Sequence, residues 1–482
     1  MRVAEYVHHD AVGLAQLVAD GEVTVAELQT AALKAAQAVN PQINAVVETW
    51  LADDGPRPAG APLAGVPFLI KDIGAAMAGR RMELGSRLAA GNVARADSAL
   101  MLRVRRAGLV TFGRTATSEM AYSITTEPVL YGATRNPWDP ERSAGGSSGG
   151  AGAAVAAGVV PLAHGTDAAG SLRVPAAYNG LFGLKPTRGR VSLGPDFDEL
   201  FSGLAVAGSV SRTVRDSAAL LDQISGPEPG DPYFARQPSR PYAEEVTRHP
   251  GRCASVSSPR HGVDAAPPHR WPTPSRTAGL LESLGHQVEE AEVGLGAGWE
   301  EYVLANARLF TANLAATVDE LAAALGLARR FLHPRTGDPR RYHYGQRVGG
   351  AQFVAALAVR NRVSRSLARS FGTYDILLTP TVPELPVPLG AYTESARTLD
   401  GLGWIGAVFD RAPFTMPFNM AGTPAMSVPL TADAETGLPI GMQFAAGYGL
   451  ESRLFRLAGQ LEQASPWSGR IPAVWAGGRA GR

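Results

Sequence analysis

Cysteine is almost missing from this 482-residue chain: Cys253 stands alone, so no internal disulfide can form and nothing points to an oxidising compartment. An excess of one charge is missing too. The 45 Lys+Arg oppose 44 Asp+Glu for a net charge of +1, which argues against a dedicated nucleic-acid or membrane-surface binder. The longest apolar run, 151–163, is interrupted by Gly152, Gly158 and Pro161 and falls short of a bilayer span. No polar low-complexity tract occurs, and with 45% apolar residues a large packed core is expected. The first ten residues carry charges and two histidines where a secretory leader needs an apolar stretch. The expectation is a cytoplasmic globular protein with no membrane or nucleic-acid partner.

Lysine is scarce in a way that informs. Only Lys34, Lys71 and Lys185 occur, against 42 arginines. Arginine stays charged in proteins, whereas a buried lysine can lose its proton and act as a base. Lys34 falls mid-helix on a predicted solvent face, and Lys185 is read as a loop-holding residue. Lys71 ends a nearly continuous apolar stretch, Leu63 to Ile70, which reads as a buried strand.

Helical patterns recur along the chain. Ala11 to Asp20 and Val25 to Ala38 read as amphipathic helices, the second opened by the capping box Thr24 to Glu27 and stopped at Asn40-Pro41. The Ala/Val run 151–157 predicts a close-packed buried helix. Further helices are expected at about 299–325, 351–371 and 451–464. Short apolar strands alternate with these, which predicts an α/β fold with a buried parallel or mixed sheet. One stretch is different. Residues 253–276 hold five prolines and show neither helical nor strand periodicity, so they read as a surface insertion or a locally frame-shifted segment.

Metal and nucleotide chemistry find no motif: there is no His-Glu-x-x-His, no Cys-x-x-Cys and no Walker loop. Gly145 to Gly149 matches the Gly-x-Ser-x-Gly nucleophile elbow, but the elbow must follow a strand. Here Asn136-Pro-Trp-Asp-Pro140 precedes it and cannot make a central strand. Ser171 is the better nucleophile. The small residues Ala168, Ala169 and Gly170 before it let backbone N–H groups converge as an oxyanion hole. A serine hydroxyl needs a base. His164 lies nearby without a carboxylate to orient it, so Lys71, with a proton affinity lowered by burial, is the favoured base and Ser147 the relay.

The segments Leu63-Ala-Gly-Val-Pro-Phe-Leu-Ile-Lys-Asp72, Gly145-Gly-Ser-Ser-Gly-Gly150, Gly165-Thr-Asp-Ala-Ala-Gly-Ser-Leu-Arg-Val-Pro-Ala176 and Gly183-Leu-Lys-Pro-Thr187 resemble the amidase signature family. So do Leu377-Leu-Thr-Pro-Thr381, Pro417-Phe-Asn-Met-Ala-Gly-Thr-Pro-Ala425 and Gly437-Leu-Pro-Ile-Gly-Met-Gln443, whereas the likeness weakens between about 250 and 372. Asp167-Ala-Ala-Gly-Ser171 and Thr125-Thr-Glu-Pro128 are most similar to the 6-aminohexanoate cyclic-dimer hydrolase branch of that family. The resemblance implies a central mixed β-sheet covered by helices on both faces, in one amidase domain over 1–482. Within it, N-terminal helices occupy about 1–40, the signature core 60–225, a diverged pocket-forming helical segment 299–372 and a C-terminal sheet and helix region 373–467.

The family likeness also implies a Ser–cis-Ser–Lys triad, carried onto Ser171, Ser147 and Lys71, with a cis bond after Gly146. Asp167 and Arg173 are expected to support the nucleophile loop, and Thr125 to line the substrate site. Ala169 replaces a glycine of many members, and its methyl is expected to tighten the acyl pocket. The expected activity is hydrolysis of a linear or cyclic carboxylic amide through an acyl-serine, with no metal and no cofactor. A small-molecule amide is the expected partner, and a homodimer is left open. The alternatives are one component of a glutamine-dependent tRNA amidotransferase and an ester hydrolase. The latter would use Ser147 as its nucleophile.

Overall fold

A computed structural model describes residues 1–51, 60–197, 199–257, 274–326, 339–396 and 398–478. Its strands, in chain order, are β1 (Val46–Thr49), β2 (Pro67–Lys71), β3 (Val110–Thr115), β4 (Arg135–Asn136), β5 (Asp139–Ser143), β6 (Leu162–Asp167) and β7 (Phe182–Lys185). They continue with β8 (Val206–Ser211), β9 (Ala254–Ser257), β10 (Gln287–Glu290), β11 (Ile376–Pro380), β12 (Ala425–Ala432) and β13 (Pro439–Ala445). Eleven of them form one sheet in the order β1-β3-β2-β6-β8-β7-β12-β13-β11-β9-β10, and β4 pairs separately with β5. β2 runs parallel to both β3 and β6, while β8, β7, β12, β13 and β11 pair antiparallel in turn, so the sheet is mixed. Helices cover it, as expected for the α/β class.

Local sequence explains the elements that carry the site. All five residues of β2 are buried, the pattern of a strand covered on both faces. This puts Lys71 at the strand's end, inside the protein. The helix Gly149–Ala156 is buried along its whole length. Its small residues are required: a Cβ at Gly150 would lie 2.5 Å from the Ala116 backbone N and 2.6 Å from the Ala45 carbonyl O. That helix packs against β2, β6 and β8, so the Gly/Ser loop before it comes to rest beside Lys71.

Two apolar cores flank this centre. One joins the N-terminal helices to the sheet. The other lies among the helices Trp299–Ala324, Gly350–Thr373 and Gly401–Arg411, and it reaches the sheet through Leu377, Ala425 and Ala445.

The expected elements shift in two places. The helix from Val25 runs on through Pro41 to Ile43, ending at Asn44 in the left-handed conformation. Tertiary contacts hold that last turn: Ile43 is fully buried, and the Asn40 side chain accepts from the N–H groups of Ala45 and Val46. Within 253–276, Ala254–Ser257 forms a strand between β11 and β10. Parallel neighbours on both sides impose an extended chain that four residues of pattern could not announce. Residues 258–273 of that stretch lie outside the described residues. Among the described residues, no helix is long and apolar enough to cross a membrane.

Candidate active site

β2 delivers the Lys71 amine to the Gly/Ser loop, where Nζ lies 2.7 Å from Ser147 Oγ and 2.8 Å from Thr166 Oγ1. Lys71 is fully buried, and burial pulls its pKa down to about 7, with the Asp167 charge opposing. Near neutrality a large share of the amine is therefore uncharged. Its lone pair can then accept the Ser147 proton while an N–H donates to Thr166. The Gly146–Ser147 peptide bond is cis. The Ser147 carbonyl accepts from the Ser118 N–H and the Thr126 hydroxyl, which fix the loop from the other side.

His164, the other base weighed from sequence, is held neutral. Burial and the neighbouring Lys71 push its pKa down to about 3, and its Nδ1 accepts the Lys71 backbone N–H at 3.2 Å.

Ser171 follows β6 in a loop organised by Asp167. The Asp167 carboxylate accepts from the N–H groups of Gly170 (2.8 Å) and Leu172 (3.2 Å), from Asn419, and from Arg173 through Nε (3.0 Å) and Nη2 (2.9 Å). Both charged side chains are wholly inaccessible. Desolvation raises the carboxyl's proton affinity, but Arg173 overcomes it and holds Asp167 at about 2. Arg173 also donates to the Thr415 carbonyl, Gln443 and Asn419, tying the loop to the short helix Met416–Ala421 and to β13.

The oxyanion donors need one correction. Gly170 was expected to offer its N–H, yet that group is committed to Asp167. Gly170 serves conformation instead: its φ is +129°, and a Cβ there would meet Thr415 Oγ1 at 2.6 Å. The N–H groups of Ala168, Ala169 and Ser171 have no acceptor among the described residues.

Ser171 opens into an apolar slot walled by Ile124, Ala168, Ala169, Phe310, Ile405, Val408 and Phe409. Tyr122 and Ser123 connect this slot to a cavity of about 420 Å3 lined by Thr125, Glu127, Arg341 and Trp404, among others. Thr125 thus lies on the cavity wall and not at Ser171. The Ser171 hydroxyl makes no hydrogen bond with the described residues, so the geometry joins Lys71 to Ser147 and leaves the Ser147–Ser171 link open. Sequence reasoning assigned no role to Thr166, Asn419, Thr415 or Gln443. All but Thr415 stand inside quoted motifs, and the missing signal was the polar group each one satisfies. Among the described residues no group of three metal-ligating side chains occurs.

The amidase family profile matches residues 27–455. The 6-aminohexanoate-cyclic-dimer hydrolase of Paenarthrobacter ureafaciens is 38% identical over 484 residues, 96% of this chain and 96% of that one. A solved structure of 6-aminohexanoate cyclic dimer hydrolase complexed with substrate superposes with a TM-score of 0.89 at 35% identity, covering 97% of this chain and 99% of that one. A glutamyl-tRNA(Gln) amidotransferase component from Thermotoga maritima gives a TM-score of 0.74 at 26% identity, over 99% and 98%. These likenesses define the class: a hydrolase of carboxylic amides. The chain belongs to the amidase family. The amidotransferase alternative is not favoured, since the likeness to the cyclic-dimer hydrolases is greater in both sequence and fold.

Proposed function

We propose that Lys71, Ser147 and Ser171 form the proton relay of this amidohydrolase, and that it works through an acyl-serine intermediate. The observation that carries the reading is the buried Lys71 amine in hydrogen-bond contact with Ser147. As Ser171 Oγ bonds to the substrate carbonyl carbon, its proton passes to Ser147 and the Ser147 proton passes to neutral Lys71. The Ser147–Ser171 contact closes in the reacting complex, where such hydrogen bonds commonly tighten. The N–H groups of Ala168, Ala169 and Ser171 take the oxyanion, each such donor being worth about 3 kcal/mol in the transition state. Collapse breaks the C–N bond, the relay reverses to protonate the leaving nitrogen, and water repeats the cycle to release the acid.

The substrate is a small non-peptide amide, linear or cyclic, with a short hydrocarbon chain beside the scissile carbonyl. The apolar slot at Ser171 suits such a chain, and the relative's 6-aminohexanoate cyclic dimer presents methylene chains of this kind. The chain acts as a single amidase unit, its one large sheet drawing strands from Val46 to Ala445. A lone cysteine fits a cytoplasmic setting.

Peptide mapping after reaction with a fluorophosphonate tests the assignment. Label on Ser171 is expected; label on Ser147 would restore the ester-hydrolase elbow. Turnover of cyclic oligoamides, linear amides and anilides by the purified chain then ranks the substrates.

A further inference from the structure

Three of the four peptide units between Asp167 and Ser171 are held by their carbonyls. In a trans peptide the C=O and N–H point in opposite directions, so a partner on the carbonyl also aims the N–H. The Asp167 carbonyl accepts from Asn419 Nδ2 at 2.9 Å, the Ala169 carbonyl from the Thr415 hydroxyl at 2.5 Å and the Gly170 carbonyl from the Val174 N–H at 2.7 Å. The unit between Ala169 and Gly170 is the vulnerable one. Gly170 has a φ of +129°, and glycine reaches negative angles just as readily, so this unit could turn over with little intrinsic penalty. Two contacts stop it: the Gly170 N–H on Asp167 at one end and the Thr415 hydroxyl on the Ala169 carbonyl at the other. Thr415 closes on the loop at two further points. Its carbonyl accepts from Arg173 at 2.8 Å, and its Oγ1 lies 2.6 Å from where a Cβ of residue 170 would stand. Thr415 is wholly buried, and the other acceptor near its hydroxyl, the Ala412 carbonyl, is at 3.3 Å and competes poorly with one at 2.5 Å. The residue also joins two parts of the site. It follows the helix Gly401–Arg411, whose Ile405, Val408 and Phe409 wall the slot, and directly precedes the helix Met416–Ala421 that carries Asn419.

We propose that Thr415 is a positioning residue for the transition state. Its hydroxyl locks the Ala169–Gly170 peptide, so the N–H groups on either side of that unit, those of Ala169 and Ser171, keep the spacing that a developing oxyanion requires. Without the hydroxyl, the unit rocks about Ala169 and Gly170, and both donors lose their aim. The slot walls that receive the hydrocarbon part of the substrate stay in place, so the loss falls on kcat and not on KM. Threonine suits the task because its hydroxyl donates while its methyl fills buried space. This inference rests on Ser171 being the nucleophile and on the neighbouring N–H groups being the oxyanion donors.

The test is a graded series, Thr415→Ser, Thr415→Cys and Thr415→Val, which keeps, weakens and removes the donor. Thr415→Val should lower kcat by about 10- to 100-fold with KM little changed, the range expected when an oxyanion donor is misplaced and not deleted. Thr415→Ser should restore kcat, and Thr415→Cys should fall between them. Inhibition by an alkyl trifluoromethyl ketone reads the oxyanion directly. Ser171 Oγ bonds to its carbonyl carbon, the serine proton enters the relay and the ketone oxygen takes the negative charge. The inhibition constant should therefore rise along the series in step with the fall in kcat/KM. A lower kcat with the ketone's inhibition constant unmoved, or an equal fall in all three variants, would reduce Thr415 to a packing residue and overturn the proposal. Should Thr415→Val not fold, the Ser and Cys variants still make the comparison. Fluorophosphonate label found on Ser147 and not on Ser171 would instead sink the nucleophile assignment beneath it.

Discussion

On one side of Ser171, Asp167 accepts five hydrogen bonds from Gly170, Leu172, Arg173 and Asn419. On the other, the side chains of Phe310, Ile405, Val408 and Phe409 offer mainly apolar surface. The two sides hold their shape differently. The loop is fixed by directional bonds to named partners, each costly to break when buried. The wall is fixed by packing, where volume matters more than identity. On the proposed mechanism, chemistry that needs sub-ångström placement falls to the loop, and we propose that chain-length selectivity falls to the wall.

Substitutions on the two sides should separate accordingly. Ser171→Ala should lower kcat by up to ~10⁶-fold, by analogy with nucleophile removal in serine hydrolases. Retention of most of the amide-cleaving rate would refute the loop's role. Lys71→Arg keeps the charge but installs a group that cannot give up its proton, so a loss of roughly 10²–10⁴-fold is expected in steady-state turnover. On the wall, Ile405→Ala should mainly raise KM for short-chain amides, by about 1–3 kcal/mol in kcat/KM, and improve bulkier aryl amides relative to them. A collapse of kcat for every substrate would show that the wall positions the chemistry as well. At the surface, removing the exposed Arg362–Glu301 bridge should cost under about 1 kcal/mol in denaturant titrations. The buried Arg190–Glu451 pair should cost about 3–5 kcal/mol when Arg190 is truncated.

The same contrast governs what could be read from sequence. Lys71, Ser147 and Ser171 could be nominated from sequence because each sits in a local pattern with its own physical reason: a buried strand end, a glycine loop before a small-residue helix, and small residues before a serine. The final helix, Glu451–Ala464, was legible from amphipathic periodicity alone. What stayed hidden depends on contacts across the chain. Asn419 and Gln443 reach Arg173 from more than 240 positions away, and nothing in their own neighbourhood shows that link. The commitment of Gly170 to Asp167 was hidden for another reason, since small residues show that N–H groups can converge but not which are already taken. The walls of the slot come from two helices and two loops far apart in the chain, so their composition reads as ordinary core. The strand at Ala254–Ser257 exists because neighbours on both sides pair with it.

The rate of Ser171 labelling by a fluorophosphonate as a function of pH tests the link between buried amine and nucleophile most directly. Protonated Lys71 cannot accept, so the rate should rise with pH through a single transition near 7, where burial places the amine, and the transition should vanish in Lys71→Met. Labelling that is flat from acid to neutral pH, or a transition that survives in Lys71→Met, would contradict the account.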